Sequence, residues 1–312
     1  MTIDQKITAF IFPGQGSQTV GMGRDLAAAF PVAKQTFEEA DDLLGVSLSK
    51  IMWDGPAEEL NATVNTQPAL YVHSLAAWRV LSLRLADLSP AALAGHSLGE
   101  LSALAASDAL TFADGLRLVR TRGQLMKRAG ELAPGGMAAI LNLDIPTLDK
   151  VCAEASREGE TVQVANDNCP GQVVISGAKP AVERAMELAK AAGAKRALPL
   201  AVSIAAHSSL MNSIQPEWDA AVQAVNMKDA SAPIFGNIVA RALTSAADLR
   251  ADITAQMQSR VRWTESVRGM IGTGIRHFVE VGSGSVLIGL VKRIDAIVTS
   301  QALGNPSDFE AM

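Results

Sequence analysis

Residues 94–100 read Ala-Gly-His-Ser-Leu-Gly-Glu, and this stretch decides how the rest of the chain is interpreted. A short apolar segment precedes it and a helix-forming segment follows it. Strand, tight turn and helix in this order are the layout of a nucleophile elbow. The turn needs small neighbours, and Gly95 and Gly99 supply them. We therefore predict that Ser97 is a nucleophile; because the Gly-x-Ser-x-Gly pattern is loose, a chance match is the alternative.

Two turns are expected to present backbone amides at the top of the sheet. In the first, the Leu98 amide and the start of the following helix point at any oxyanion formed beside the serine. The second, residues 13–18 (Pro-Gly-Gln-Gly-Ser-Gln), follows the first strand. It lacks the third glycine of a dinucleotide fingerprint and the Gly-Lys-Ser/Thr ending of a P-loop, so a nucleotide site is not expected.

The composition bounds the class of protein. The chain has 312 residues, 48% of them hydrophobic, enough for one large domain or a domain with an insertion. Its net charge of −5 gives no basic field for nucleic acid. Cys152 and Cys169 lack redox or metal-ligand spacing, and we find no signal segment and no apolar run of membrane length. We expect a cytoplasmic protein without a metal site, a nucleic-acid partner or a membrane partner.

The order of strands and helices predicts an α/β fold with two units. Strands and helices alternate before residue 131 and after residue 200, which indicates a layered α/β core. Between them the order strand, helix, strand, strand, helix, strand is that of a ferredoxin-like split unit. We therefore expect a discontinuous large domain, residues 1–130 and 201–312, with a small ferredoxin-like βαββαβ domain, residues 131–200, inserted into it.

One predicted helix carries a misplaced charge. Residues 111–114 have the form of a capping box and begin the helix. At about 100° per residue, Arg122 falls in the middle of an apolar arc with Leu118 and Met126, whereas the other basic residues face the opposite side. A buried guanidinium without a partner is costly, so we expect Arg122 to meet a carboxylate of the protein or of a ligand. A structural ion pair is the alternative.

A serine nucleophile needs a base, and the chain has four histidines. His96 adjoins Ser97, so its side chain should point away, while His73 lies in an apolar helix and His277 begins a buried strand. His207 lies at a loop-to-helix junction between small residues and is the best candidate, with a structural histidine as the alternative. No acid stands out between serine and histidine, so we predict a dyad in which a backbone carbonyl orients the imidazole.

Six stretches together resemble the malonyl-CoA:acyl carrier protein transacylases of bacterial fatty acid synthesis: residues 12–18, 95–100, 120–123, 170–177, 261–264 and 278–282. The resemblance covers nearly the whole chain. It implies an α/β-hydrolase-like large domain that carries a ferredoxin-like small domain, in agreement with the pattern described above.

The resemblance also implies roles for individual residues. Ser97 would be acylated and His207 would be its base. The backbone amides of Gln15 and Leu98 would form the oxyanion hole. By the same resemblance Arg122 binds the free carboxylate of the malonyl group, and the neighbouring substrate-binding residue, Gln256, helps to orient the histidine.

The implied reaction is a ping-pong transfer of malonyl from coenzyme A, through a serine ester, to the phosphopantetheine thiol of acyl carrier protein. We expect these two partners, no cofactor and a monomer. The same transfer to a polyketide or malonate decarboxylase carrier is an alternative. A serine acyl-hydrolase is disfavoured because a hydrolase of short neutral acyl groups has no use for Arg122. A carrier-docking scaffold is disfavoured because all the site residues are present.

The sequence departs from the family pattern at two places. Ala206 stands directly before the histidine, where the family often has serine or phenylalanine, so a branched methylmalonyl group could be accepted. Ser283 stands in a loop that is usually Gly-Pro-Gly, which should affect only the stiffness of the loop. A basic patch for an acidic carrier is suggested by residues Lys195, Arg196, Lys292 and Arg293.

Overall fold

The structure is a computed structural model that describes residues 3–85, 87–202 and 204–310; residues 1, 2, 86, 203, 311 and 312 of the two expected units lie outside it. The strands are β1 (Thr8–Phe12), β2 (Ala92–Gly95), β3 (Gly135–Leu141), β4 (Val162–Cys169), β5 (Gln172–Ala178), β6 (Arg196–Pro199), β7 (Ile234–Phe235), β8 (Ala242–Leu243), β9 (His277–Val281) and β10 (Thr299–Leu303). The helices are α1 (Arg24–Ala29), α2 (Pro31–Leu44), α3 (Leu48–Asp54), α4 (Ala57–Asn61), α5 (Thr63–Arg84), α6 (Gly99–Ala106), α7 (Phe112–Leu132), α8 (Ile145–Ala155), α9 (Lys179–Ala191), α10 (Gln215–Ala224), α11 (Ala246–Ala255), α12 (Trp263–Gly272) and α13 (Val286–Ile294). Short 3₁₀ segments are Gln5–Ile7, Ser209–Ile214, Gln256–Gln258 and Pro306–Phe309.

Six strands form the larger sheet, in the order β10-β9-β1-β2-β7-β8. All neighbours are parallel except β7 and β8. The carboxyl ends of the central strands β9, β1 and β2 therefore meet at one edge of the sheet. Three turns begin at that edge: residues 13–18, 96–98 and 282–285. Open α/β sheets bind their ligands at such an edge.

Alternate residues of β1 enter two different cores. Phe10 and Phe12 pack with α5, α6 and α7 on one face of the sheet, whereas Ala9 and Ile11 pack with α12 and α13 on the other. Helices cover both faces of a parallel sheet, so both sets of alternating side chains in its strands are buried. The sequence of such a strand is therefore a continuous apolar run. The predicted α/β fold is confirmed at this level.

The central helix α5 starts earlier than the sequence predicts. We expected an apolar helix over residues 70–85, with the turn signal Thr-Gln-Pro before it, but the helix begins at Thr63 and contains Pro68. A proline inside a helix leaves the carbonyl four residues earlier without its N–H donor. That carbonyl belongs to Val64, and it accepts a hydrogen bond of 2.7 Å from Arg120 Nη1 on α7. A tertiary contact thus replaces the lost helical bond.

The smaller sheet has four antiparallel strands in the order β4-β5-β3-β6. Helices α8 and α9 cover one face, where Ile140 and Ile175 pack against Leu148, Val151 and Ala185. Residues of the opposite face are directed toward the edge of the larger sheet where the three turns lie.

One segment of the large unit differs from the sequence prediction. The helix predicted from residue 205 is absent: His207 lies in a turn with a left-handed φ of 59°, and a 3₁₀ segment begins only at Ser209. Hydrogen bonds to distant residues override the local preference there, as described below. The helical segment that the sequence predicts over residues 252–257 is confirmed, as the end of α11 followed by a 3₁₀ turn from Gln256.

Cys152 and Cys169 are buried and free. In residues 3–85, 87–202 and 204–310, no helix is both long and apolar enough to cross a membrane. The same residues contain no group of three or more acidic, cysteine or histidine side chains arranged to hold a metal ion.

Candidate active site

Ser97 lies in a strained turn between β2 and α6. Its φ is 53°, in the left-handed region that non-glycine residues rarely occupy. A Cβ on Gly95 would lie 1.9 Å from the backbone carbon of Gly99, so the two arms of the turn can approach only because position 95 is glycine. This is the geometry of the predicted nucleophile elbow.

A residue that the sequence did not single out holds this turn. Asn237, 1% exposed, accepts a hydrogen bond of 2.7 Å from the Ser97 backbone N–H through Oδ1. Its Nδ2 donates to the Gly95 carbonyl at 2.7 Å. The side chain therefore bridges both sides of the turn. Asn237 follows β7, and no local pattern in the sequence connects it with residue 97.

His207 is within hydrogen-bonding distance of the Ser97 hydroxyl. Its Nε2 lies 2.8 Å from Ser97 Oγ, while Nδ1 lies 2.9 Å from the Gln256 carbonyl oxygen and 3.1 Å from that of Ser259. Two acceptors at Nδ1 require the proton there, which leaves the lone pair of Nε2 to accept the serine hydroxyl proton. Backbone carbonyls thus occupy the place that a carboxylate has in a triad.

The strained backbone of His207 is held from the small sheet. Gln163 on β4 donates through Nε2 to the carbonyl oxygens of His207 and Gln258, both at 3.2 Å. Its Oε1 accepts from the Ser209 backbone N–H at 3.2 Å. These contacts fix the turn where the sequence predicts a helix, and they connect the small sheet to the imidazole.

The environment of His207 keeps the imidazole neutral. Burial, followed by the nearby positive charge of Arg122, lowers its pKa from 6.5 to about 3. A base acts in its neutral form, so the active form persists as the pH falls well below 6.5. We therefore expect kcat/KM for acylation, measured down to about pH 5, to show no decrease centred on pH 6.5. A clear acid limb at the ordinary histidine pKa would contradict this environment.

Arg122 is 1% exposed, and its guanidinium lies beside the Ser97 hydroxyl. Nη2 donates to Ser97 Oγ at 3.1 Å and to Gln256 Oε1 at 2.8 Å, and Nη1 donates to Gln67 Oε1 at 3.0 Å. The buried position predicted from the helical wheel is confirmed. The expected protein carboxylate is not among its hydrogen-bond partners in the described residues; two amide oxygens replace it.

Burial lowers the pKa of Arg122 to about 10, although the more distant Glu100 raises it. The guanidinium therefore remains charged at neutral pH. Its Nε has no hydrogen-bond acceptor in the described part of the chain. Amide oxygens orient a cation without neutralising it, so this site favours an incoming anion.

Two backbone amides near the Ser97 turn have no acceptor within the protein. In residues 3–85, 87–202 and 204–310, neither the Gln15 nor the Leu98 N–H donates to a protein acceptor. Gly14 brings the first turn against the elbow, because a Cβ there would lie 2.4 Å from the His96 carbonyl oxygen. Gln15 also lines the cavity that contains Ser97.

A cavity of about 190 Å³ joins these groups. From the large unit it is lined by Gln15, Thr63, Gln67, His96, Ser97, Arg122, Met126, Ala206 and His207, among others. The small sheet contributes Met137, Asn166, Asn168 and Val174. His96 faces the small sheet, where its Nε2 lies 2.8 Å from Asn168 Oδ1. Residues from both sheets therefore line the cavity.

The family profile described as an acyl transferase domain matches residues 9–297. The chain belongs to the acyl transferase family. It is 46% identical over 303 residues to the malonyl CoA-acyl carrier protein transacylase of Escherichia coli strain K12, covering 97% of each chain.

Solved structures agree with this family. A crystal structure of an acyl carrier protein S-malonyltransferase from Vibrio cholerae has a TM-score of 0.93 and 44% identity, covering 98% of this chain and 99% of that one. A type II PKS acyl-carrier protein in complex with its malonyl-transacylase has a TM-score of 0.92 and 43% identity, covering 97% of each chain. The acyl transferase fold thus extends over nearly the full length of this chain.

Proposed function

We propose that the chain is a malonyl-CoA:acyl carrier protein transacylase. One observation carries the proposal: Ser97 Oγ lies 2.8 Å from a buried imidazole and 3.1 Å from a buried guanidinium. A nucleophile, its base and a cation for the far end of a diacid therefore converge on one oxygen. The relatives named above support the same substrate pair.

In the first half-reaction, Ser97 Oγ attacks the thioester carbonyl carbon of malonyl-CoA while its proton passes to His207 Nε2. The negative charge that develops on the carbonyl oxygen is stabilised by the N–H groups of Gln15 and Leu98. One such donor is worth roughly 3–4 kcal/mol of barrier. The carbon–sulfur bond then breaks, the imidazolium returns the proton to the departing sulfur, and malonyl-Ser97 remains.

The second half-reaction reverses these steps with a different thiol. The phosphopantetheine thiol of the carrier protein gives its proton to His207 and attacks the serine ester. The same amides stabilise the second oxyanion. Ser97 Oγ regains the proton as it leaves, and the malonyl thioester of the carrier is released. The reaction uses no cofactor beyond the two thiol carriers themselves.

Arg122 selects the acyl group. In malonyl-Ser97 a single methylene separates the ester carbonyl from the carboxylate, so the carboxylate stays close to Oγ and within reach of the guanidinium. A bidentate pair there supplies the negative partner that the protein lacks. An acetyl group leaves the buried cation without a carboxylate, and this difference favours malonyl.

We further propose an α/β-hydrolase-like large domain, residues 1–130 and 201–312, with a ferredoxin-like domain, residues 131–200. The first is supported by the strand–elbow–helix geometry at Ser97 in a largely parallel sheet. The second is supported by the order β4-β5-β3-β6 with both helices on one face, as in a split βαβ unit. Residues of both proposed domains line the cavity, so each domain contributes to its wall.

A polyketide carrier is the second candidate partner, because one similar structure is a malonyl-transacylase in complex with a type II PKS acyl-carrier protein. The catalytic steps are the same for either carrier. The assignment therefore depends on the carrier surface and not on the cavity.

A panel of acyl donors and acceptors tests the function. We expect mass spectrometry to show malonyl transfer from coenzyme A to holo acyl carrier protein, and much slower transfer of acetyl. Methylmalonyl-CoA tests whether Ala206, which lines the cavity, admits a branched group. Release of free malonate instead of carrier acylation would identify a hydrolase and overturn the proposal. Apo carrier protein, which lacks the thiol, is the control.

A further inference from the structure

A pair of carboxyl groups is buried behind the Ser97 turn. Glu100 on α6 is 1% exposed and Asp252 on α11 is 4% exposed. Their carboxyl groups accept from consecutive backbone N–H groups of one loop, Glu100 from Asn237 at 3.4 Å and Asp252 from Ile238 and Val239. Two carboxyl groups held side by side in this way can hydrogen-bond only if one of them carries a proton, because an ionised carboxylate only accepts. Two adjacent buried carboxylates would also repel each other strongly.

The loop after β7 holds Asp252 beside Glu100. Asp252 receives backbone N–H groups at both oxygens, from Ile238 at 3.4 Å and Val239 at 3.3 Å. Gly236 leaves room for this approach, since a Cβ there would lie 2.8 Å from the carboxyl carbon. Burial and the neighbouring Asp252 charge raise the pKa of Glu100 well above its ordinary value, which favours a proton on Glu100.

The pair contacts the substrate-binding groups through one amide. Gln256 donates through Nε2 to Glu100 Oε2 and, at 3.0 Å, to the Ser97 carbonyl oxygen. Because both N–H groups of the amide are used, Oε1 faces the other way and accepts from Arg122 Nη2 at 2.8 Å. The hydrogen bonds therefore run from Glu100 through Gln256 to Arg122.

The charge of the pair acts on the same cation. Arg122 forms no salt bridge with any described residue. A pair with one proton carries a single negative charge, and the Gln256 amide lies between that pair and the guanidinium. A second negative charge on the pair would compete with the malonyl carboxylate for the same cation.

We propose that Glu100 and Asp252 share one proton and act as a positioning unit, which fixes the Gln256 amide and through it the orientation of Arg122. The proposal rests on the proposed malonyl transfer for its functional part, but its protonation state does not. Neither carboxyl touches the reacting atoms. The unit acts on malonyl selectivity through Gln256.

Infrared spectroscopy tests the shared proton without any substrate. The wild type minus Glu100→Gln difference spectrum near neutral pH should contain the carbonyl stretch of a protonated carboxylic acid. The wild type minus Asp252→Asn spectrum should contain it as well, because Glu100 ionises once the neighbouring charge is removed. No such band in the first spectrum, or a protonated Glu100 that survives Asp252→Asn, would overturn the shared proton.

Kinetics with malonyl-CoA and acetyl-CoA test the positioning role. Glu100→Gln reproduces the neutral form and its hydrogen bonds, so malonyl kcat/KM should stay within about threefold of wild type. Glu100→Ala removes the acceptor of Gln256 and should lower malonyl kcat/KM by about 10- to 100-fold, and acetyl kcat/KM much less. Equal losses for both substrates, or a Gln variant as impaired as the Ala variant, would overturn the role.

Glu280 provides the matched control. It is a buried carboxyl on β9 whose pKa burial raises to about 7, and it accepts from the Ile288 backbone N–H at 2.9 Å. Glu280→Gln should leave the malonyl-to-acetyl preference unchanged. If Glu100→Ala fails to fold, the infrared spectra and the Gln variant still decide the proposal. If the wild type transfers no malonyl at all, the proposed function fails while the infrared result stands.

Discussion

A Ser97→Ala variant incubated with malonyl-CoA is expected to gain no covalent malonyl group, whereas the wild type gains one. Removal of the hydroxyl eliminates the atom that lies 2.8 Å from His207 Nε2. Loss of the nucleophile of a serine hydrolase costs of the order of 10⁶-fold in kcat, so carrier acylation should fall to the uncatalysed rate. Intact-protein mass spectrometry followed by peptide mapping locates the group.

Ser102→Ala is the matched control for this experiment. Ser102 is a buried serine on the same helix, α6, and its Oγ has no hydrogen-bond partner in the described residues. Its removal should leave the amount of malonyl-enzyme unchanged. Malonyl labelling that persists in Ser97→Ala would show that another side chain is the nucleophile.

Arg122→Ala is expected to reverse the preference between malonyl and acetyl donors. Truncating one partner of a buried charge pair weakens binding by about 10²- to 10³-fold, so malonyl kcat/KM should fall by that factor. Acetyl kcat/KM should be retained or rise, because acetyl never pairs with the guanidinium and the alanine removes an uncompensated cation. Steady-state transfer to holo carrier protein, measured with both donors, checks the ratio.

Arg117→Ala is the matched control, because it tests whether the loss of any positive charge on the helix has the same effect as the loss of the buried one. Arg117 is an exposed residue of the same helix, α7, and it pairs with Asp114. Its loss should change neither substrate by more than about twofold. An Arg122→Ala variant that loses both donors equally would show that Arg122 supports the structure and does not select the acyl group.

Local patterns were sufficient where the chemistry depends on neighbours in the chain. The Gly-x-Ser-x-Gly turn determines its own backbone, because the small residues and the strand and helix flanks all lie within a few positions. The period of α7 likewise predicts that Arg122 is buried. The alternation of strands and helices predicts the α/β fold. The predicted cap at Thr111 is confirmed, because its side chain accepts a hydrogen bond from the Asp114 backbone N–H.

The sequence predicted a helix at His207, where the structure has a turn, and it did not predict the amide partners of Arg122. The backbone at His207 is held by Gln163 from the small sheet, and Arg122 is oriented by Gln67 and Gln256. None of these partners is close in sequence to the residue it holds. Helix propensity depends on a few neighbouring residues, so it does not predict such contacts.

The sequence by itself therefore determined the fold class, the nucleophile turn and the burial of one cation, because each depends on short-range periodicity or on the size of adjacent side chains. Only the tertiary structure decided what holds them: Asn237 across the elbow, Gln163 behind the histidine, and the Glu100–Asp252 pair behind Gln256. Those contacts join residues separated by many tens of positions, and the packing of the two sheets brings them within hydrogen-bonding distance.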